Sequence, residues 1–262
     1  MKLSEIPKIT QSGVSSFTLF AGPCVIETSE SLFHITERLK QITTSLEIPF
    51  VLKASYKKTN RTKFDSFNTI GEVKALKILE EVGSHFNIPT MTDVHSSYEA
   101  TRAGEYGIDI IQIPAFLCRQ SDILKAAADT GKVINIKKGQ FMSGSDMKYA
   151  VEKVRQYGND KILLTERGTT FGYNDLIMDM RNIPIMQSTG CPVLVDVTHS
   201  LGVNDGNPNM IRMFAKMAVV CGAEGLFLET HPSPRIAKSD GSRMLMLNNI
   251  PELLRELLTI NK

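Results

Sequence analysis

Eight short apolar runs of strand length recur along the chain with segments of helical period between them, and this alternation limits the fold more than any other feature. The runs span residues 17–22, 50–55, 89–94, 109–114, 133–138, 161–166, 192–197 and 225–230. Helix-like stretches between them include 31–47, 72–86, 121–129, 146–157 and 209–220, rich in Leu, Ala, Lys, Glu or Met. Runs such as Val193-Leu194-Val195 have no polar face, as a parallel sheet covered by helices requires. Eight strand–helix units in 262 residues predict one closed α/β domain, a (β/α)8 TIM barrel, which typically takes about 250 residues. A doubly wound open sheet is the rival. It would more often carry a Gly-rich phosphate turn after its first strand, and Ala21-Gly22-Pro23-Cys24 is not one. Residues 1–16 precede the first run and are expected to form an extension capping the bottom of a barrel built from 17–262.

Charge and apolar content narrow the functional classes. Lys and Arg together number 30 against 28 for Asp and Glu, a net charge of +2, whereas a non-specific nucleic-acid binder usually carries a basic face and a clearly positive total. No stretch approaches the ~20 consecutive apolar residues of a membrane span. The start, Met1-Lys2-Leu3-Ser4-Glu5-Ile6-Pro7, lacks the apolar core of a signal peptide, so a cytoplasmic location is expected. Cys24, Cys118, Cys191 and Cys221 are widely separated, form no CxxC pair, and read as reduced thiols.

In such a barrel the active site is assembled at the carboxyl ends of the strands, and every run here ends in polar residues. Two groups emerge. The first is cationic: Lys53, Lys58, Arg61, Arg119, Lys137 and Arg167 are expected on one rim of a nearly neutral protein. Arg forks match phosphate or carboxylate and Lys supplies point charge, so the set suits anionic ligands. Lys57, Lys63 and Lys138 can equally be solvated surface charges. Lys53 and Lys137 lie inside apolar strands, sharing faces with Ser55 and Asn135, where a lysine without an anion is costly. The second group is metal-like: Cys24, His199, Glu229 and Asp240, from strands 1, 7 and 8 and the loop beyond strand 8. Strands 8 and 1 meet when the barrel closes. A thiolate, an imidazole and two carboxylates suit Fe2+, Zn2+, Mn2+ or Co2+ better than Mg2+. A packed thiol and a hydrogen-bonded core histidine would leave the same trace, and His95 and His231 compete for the imidazole role.

The segments Ala21-Gly22-Pro23-Cys24, Lys53-Ala54-Ser55 through Asn60-Arg61, Thr92-Asp93-Val94-His95, Ile111-Gln112-Ile113-Pro114 through Arg119-Gln120, Asn135-Ile136-Lys137-Lys138-Gly139-Gln140-Phe141, Arg167-Gly168 with Phe171-Gly172-Tyr173, Asp196-Val197-Thr198-His199, and His231-Pro232 through Asp240-Gly241 resemble the 3-deoxy-D-manno-octulosonate 8-phosphate synthase family. The resemblance runs from about residue 17 to 247. It implies a (β/α)8 barrel that condenses phosphoenolpyruvate with D-arabinose 5-phosphate and releases inorganic phosphate, in making a lipopolysaccharide sugar. By the same resemblance, Lys53, Lys58, Lys137 and Arg167, with Gln112 and Ser55, hold phosphoenolpyruvate. Asn60, Arg61 and Thr62, the last standing where serine is usual, take the pentose phosphate. Arg119 would reach the site of a neighbouring subunit in a homotetramer. Members with Cys in the first motif bind a divalent metal, which Cys24 implies here through the set Cys24, His199, Glu229 and Asp240. Lys53, Lys58, Lys137, His199 and Asp240 are the expected catalytic groups. The related 3-deoxy-D-arabino-heptulosonate 7-phosphate synthases, which use erythrose 4-phosphate, are the nearest alternative. They usually carry Pro-Arg-Thr shortly after the strand 2 lysine, where this chain reads Tyr56-Lys57-Lys58-Thr59-Asn60-Arg61. A non-catalytic sugar-phosphate sensor on the same scaffold is the alternative of another class.

Overall fold

In the computed structural model, which describes residues 1–10, 15–61, 63–173, 175–202 and 207–260, sheet neighbours follow chain order. The strands are β1 (Thr18–Gly22), β2 (Phe50–Lys53), β3 (Thr90–Asp93), β4 (Ile110–Ile113), β5 (Val133–Lys137), β6 (Ile162–Glu166), β7 (Val193–Asp196) and β8 (Gly225–His231). All pair in parallel, and β8 pairs back onto β1 with Gly22 opposite Glu229, closing the barrel. The (β/α)8 expectation holds, and each apolar run contains its strand except the last, where β8 runs one residue further, to His231. A two-residue strand, β9 (Leu245–Met246), pairs with the end of β8. That pairing brings the 234–243 segment back over the barrel mouth.

The helices are α1 (Ser29–Ser45), α2 (Glu72–Phe86), α3 (Ser97–Glu105), α4 (Ser121–Asp129), α5 (Met147–Gln156), α6 (Asn182–Gln187), α7 (Pro208–Val220) and α8 (Ile250–Leu258). α1 shows the local logic. Thr28 caps it by accepting from the Ser31 amide at 3.0 Å, and Leu32, Ile35, Leu39 and Ile42 form its buried stripe. α3, α6 and α8 are not among the helical stretches named from the sequence. α3 buries Ala100, Ala103 and Glu99 instead of a leucine stripe, and α6 has six residues with Pro184 among them.

Period 2 divides the strand residues between two cores. Outward-facing positions such as Leu52, Ile111, Ile134, Val195 and Leu228 pack under the helices. One inward-facing residue per strand, Phe20, Val51, Met91, Ile110, Val133, Leu163, Leu194 and Phe227, forms a separate inner cluster. Ile6 is buried in that cluster, with Met1, Leu3 and Ile9 against it, and Lys8 reaches Asp109 at 3.1 Å. No described helix is long and apolar enough to cross a membrane.

Candidate active site

Two residues beyond each member of the inner apolar cluster stand Gly22, Lys53, Asp93, Gln112, Asn135, Thr165, Asp196 and Glu229. Side-chain alternation directs all of them into the barrel, so the apolar layer is overlain by a polar one. The seven with side chains beyond Cα are buried. Gly22 has no alternative: a Cβ there would lie 2.1 Å from the Lys53 carbonyl oxygen. Two residues further on come Cys24, Ser55, His95, Pro114, Lys137, Arg167, Thr198 and His231, of which His95, Pro114, Lys137 and Arg167 line the cavity at the mouth.

Side chains of these layers satisfy one another between nearby strands. Lys53, 2% exposed, donates to Ser55 Oγ at 2.9 Å and lies 3.2 Å from Asp93 and 3.8 Å from Glu229. Ser55 in turn donates to Asp93. Lys137 Nζ sits 2.6 Å from Asp196 Oδ2 and 4.1 Å from the centre of the Phe227 ring. Asp196 also accepts from the Thr198 and His199 amides and contacts His199 Nδ1 at 2.9 Å. Gln112, Asn135 and Thr165 form a hydrogen-bonded chain, with Gln112 Nε2 donating to Asn135 at 2.8 Å and Asn135 Nδ2 to Thr165 at 2.7 Å. His95 Nδ1 is 3.1 Å from Glu99 and its Nε2 3.4 Å from Asp93.

Burial and charge set the protonation states. Burial disfavours the imidazolium of His95, but Asp93 and Glu99 outweigh it and raise its pKa to about 9. Burial likewise opposes charge on Lys58, yet Cys24, Asp93 and Glu229 carry its pKa upward. On Lys137 and Arg167 burial wins, and both are lowered despite Asp196. Lys53, Lys58, Asn60, Arg61, Lys137 and Arg167 line a cavity of about 770 Å³, together with Asp93, His95, Gln112, Gln140, His199 and Asp240. Arg167 Nη1 is buried with no hydrogen-bond partner among the described residues. A buried, unpaired guanidinium nitrogen at a cavity wall is a ready donor for an entering anion.

A second cluster adjoins this cavity. Ligand atoms of Cys24, Glu229 and Asp240 all lie within 4.8 Å of one another. His199 Nε2 is 3.8 Å from Glu229 and 4.0 Å from Asp240, so the fourth expected donor borders the same space. The Cys24 thiol lies 3.2 Å from Asp240 and 3.1 Å from Ser239. Burial, reinforced by Glu229, pushes its pKa upward, which keeps the proton on sulfur until a cation competes for it. Both carboxylate oxygens of Glu229 are buried without hydrogen-bond partners among the described residues. Such orphaned acceptors beside a thiol and a carboxylate fit a divalent cation bound by mixed S, N and O donors.

Most expected site residues therefore meet, with three qualifications. Ser55 lies beneath the cavity wall, bonded to Lys53 and Asp93. Thr62 falls outside the described residues. Arg119 does not line the main cavity; it is exposed and borders a separate pocket with Phe141, Met142 and Tyr149, so the six cations do not share one rim within a single chain. Lys138, which could have been a solvated charge, is fully buried against Glu166. Asp93 and Asp196 were legible as strand-end residues but not as the partners of Lys53 and Lys137, since those pairings join different strands, β2 to β3 and β5 to β7. Glu99 gave no strand-end signal because it sits on α3.

Against known families, residues 3–261 match the model described as the DAHP synthetase I family. The chain belongs to the DAHP synthetase I family. Among curated relatives of this family member are proteins named 2-dehydro-3-deoxyphosphooctonate aldolase. One from Koribacter versatilis is 44% identical, over 97% of this chain and 95% of the relative. Another from Bartonella quintana is 44% identical over 97% and 94%, and one from Rickettsia bellii 45% identical over 92% and 90%. The family membership accords with the resemblance carried by the strand-end motifs.

Proposed function

We propose that this chain is a 2-dehydro-3-deoxyphosphooctonate aldolase, condensing phosphoenolpyruvate with D-arabinose 5-phosphate and releasing inorganic phosphate. The observation that carries the reading is the single cavity lined by Lys137 and Arg167 on the β5 and β6 ends and by Asn60 and Arg61 in the loop after β2, two cationic stations in one chamber. Carbon 3 of the enol attacks the aldehyde carbon of the pentose phosphate, positive character develops at carbon 2, water adds there, and the C–O bond to phosphate then breaks. The enzyme must hold two mutually repelling anions in contact. Lys53, Lys58, Lys137 and Arg167, with Gln112 and Ser55, are assigned to phosphoenolpyruvate. Asn60, Arg61 and Thr62 are assigned to the pentose phosphate. Such positioning can lower a barrier by roughly 7 to 11 kcal/mol.

Cys24, His199, Glu229 and Asp240 would hold a divalent metal, of which Fe, Zn, Mn and Co suit the donors, supplying Lewis acidity beside the acceptor carbonyl. His199 and Asp240 line the cavity directly and so also orient the acceptor. Exposed Arg119, with exposed Phe116, Phe141 and Tyr149 in the same region, favours a homotetramer in which Arg119 reaches a neighbour's site. Residues 1–16 are proposed as the stopper of the barrel bottom, on the strength of buried Ile6. Both substrates are charged phosphates that do not cross membranes, which favours the cytoplasm. The test is phosphate release with arabinose 5-phosphate and with erythrose 4-phosphate. The five-carbon sugar should give the higher kcat/KM; the reverse would assign the erythrose 4-phosphate reaction suggested by the family's description, and no release with either would leave a binding protein.

A further inference from the structure

Lys138 is a fully buried lysine that the proposed reaction leaves without a task. The alternation that turns Lys137 into the barrel turns Lys138 away from it. Its ammonium lies 3.3 Å from the Gly139 carbonyl and 3.2 Å from the Met142 carbonyl, both in the loop after β5. It also lies 3.1 Å from the Gly168 carbonyl and 3.1 Å from Thr169 Oγ1, in the loop after β6. Glu166 Oε1 is 3.3 Å away, and that same oxygen accepts from the amides of Arg167 at 2.9 Å and Gly168 at 2.7 Å. Gly168 turns the chain at φ +91°, in the left-handed region that favours glycine. One ammonium thus ties the loop that follows Lys137 to the turn that carries Arg167.

Stability gives little reason for this arrangement. Buried ion pairs are often replaced by apolar packing at no loss, because desolvation consumes the Coulombic gain. We propose that Lys138 is a positioning residue, which with Glu166 fixes the 166–169 turn so that Arg167 points into the cavity at a set distance from Lys137, without touching substrate. The inference rests on the reading in which Lys137 and Arg167 receive phosphoenolpyruvate.

The experiment is steady-state kinetics of Lys138→Met, Arg167→Ala and the double variant, with phosphoenolpyruvate and arabinose 5-phosphate varied separately and thermal midpoints recorded. Lys138→Met should raise the KM for phosphoenolpyruvate by about 10- to 100-fold, the scale of an ångström misplacement, with the KM for the sugar phosphate moving much less. In the Arg167→Ala background the same change should alter that KM by less than about twofold, since the residue acts through Arg167. Equal effects on both substrates, or fold-changes that simply multiply in the double variant, would overturn the proposal. Should Lys138→Met not fold, Thr169→Val removes a single acceptor and should raise the phosphoenolpyruvate KM by about two- to fivefold; no change there would equally overturn it. A wild-type chain that does not turn over phosphoenolpyruvate defeats the underlying reaction instead, a separate outcome.

Discussion

Lys137→Met separates the two things Lys137 does. Methionine preserves the unbranched stem and removes the charge that lies 4.1 Å over the Phe227 ring and 2.6 Å from Asp196. Breaking a buried ion pair commonly costs about 3 to 5 kcal/mol because the surviving charge is stranded. Asp196, although fully buried, is not stranded here: the Thr198 and His199 amides still donate to Oδ1 at 2.9 and 2.8 Å, and His199 Nδ1 remains 2.9 Å from Oδ2. The expected stability loss is therefore smaller, about 1 to 3 kcal/mol, read from urea unfolding. Catalysis should suffer more. Removing a charged partner of a buried anion costs about 2 to 5 kcal/mol, which at 1.36 kcal/mol per tenfold is roughly a 30- to 5,000-fold loss in kcat/KM for phosphoenolpyruvate. The KM for arabinose 5-phosphate should stay within about threefold, since Asn60 and Arg61 are untouched. A loss below about fivefold, or one shared equally by both substrates, would refute the assignment of Lys137 to the phosphoenolpyruvate station.

Arg61→Ala should show the opposite pattern, raising the KM for the pentose phosphate with little effect on phosphoenolpyruvate; parallel effects on both would mark Arg61 as an ordinary surface charge. Prolonged chelation should abolish activity and Mn2+, Fe2+, Co2+ or Zn2+ should restore part of it, while Cys24→Ala should lower bound metal measured by elemental analysis; full activity after verified metal removal would defeat the site. Cys24→Asn should retain weak turnover that chelators do not touch, an outcome contradicted by a chelator-sensitive or wholly dead variant. His95, whose pKa is raised to about 9 from an ordinary 6.5 by Asp93 and Glu99, should contribute up to about 3 kcal/mol of stability, fully present below pH 6.5 and lost as pH rises through 9. Unfolding free energies of wild type and His95→Asn that run parallel across that window would exclude this source.

The barrel was readable because its strands are apolar on both faces and its helices carry apolar stripes, both local properties of the chain. α2 and α4 begin and end where their stripes do, at Glu72–Phe86 and Ser121–Asp129. α3 was not, since helix packing there needs only Ala100 and Ala103. In the site, strand-end position revealed the cations and the metal-like donors, but each partner comes from another strand that the rolled sheet brings alongside. Lys137 on β5 meets Asp196 on β7, and Lys53 on β2 meets Glu229 on β8, pairings no local pattern encodes. Lys138 shows the sharpest limit: it differs from Lys137 by one position and so by a whole face, and only the packed loops beyond β5 and β6 show what surrounds it.

The order of the inner layers explains how one barrel can be both stable and functional. Phe20, Val51, Met91 and their counterparts exclude water at the bottom, and carboxylates of the next layer, Asp93, Asp196 and Glu229, stand level with Lys53 and one layer below Lys137 and Arg167. Lys53 and Lys137 are held in place by those carboxylates before any ligand arrives, so an entering anion meets donors that need no further ordering. The same arrangement makes the two ends of the barrel respond differently to change. At the bottom, Phe227 under Lys137 aside, a volume-conserving swap within the inner apolar cluster should cost less than about 1.5 kcal/mol. At the top, removing one charge alters the environment of at least one other, which ties stability there to the chemistry that the cavity supports.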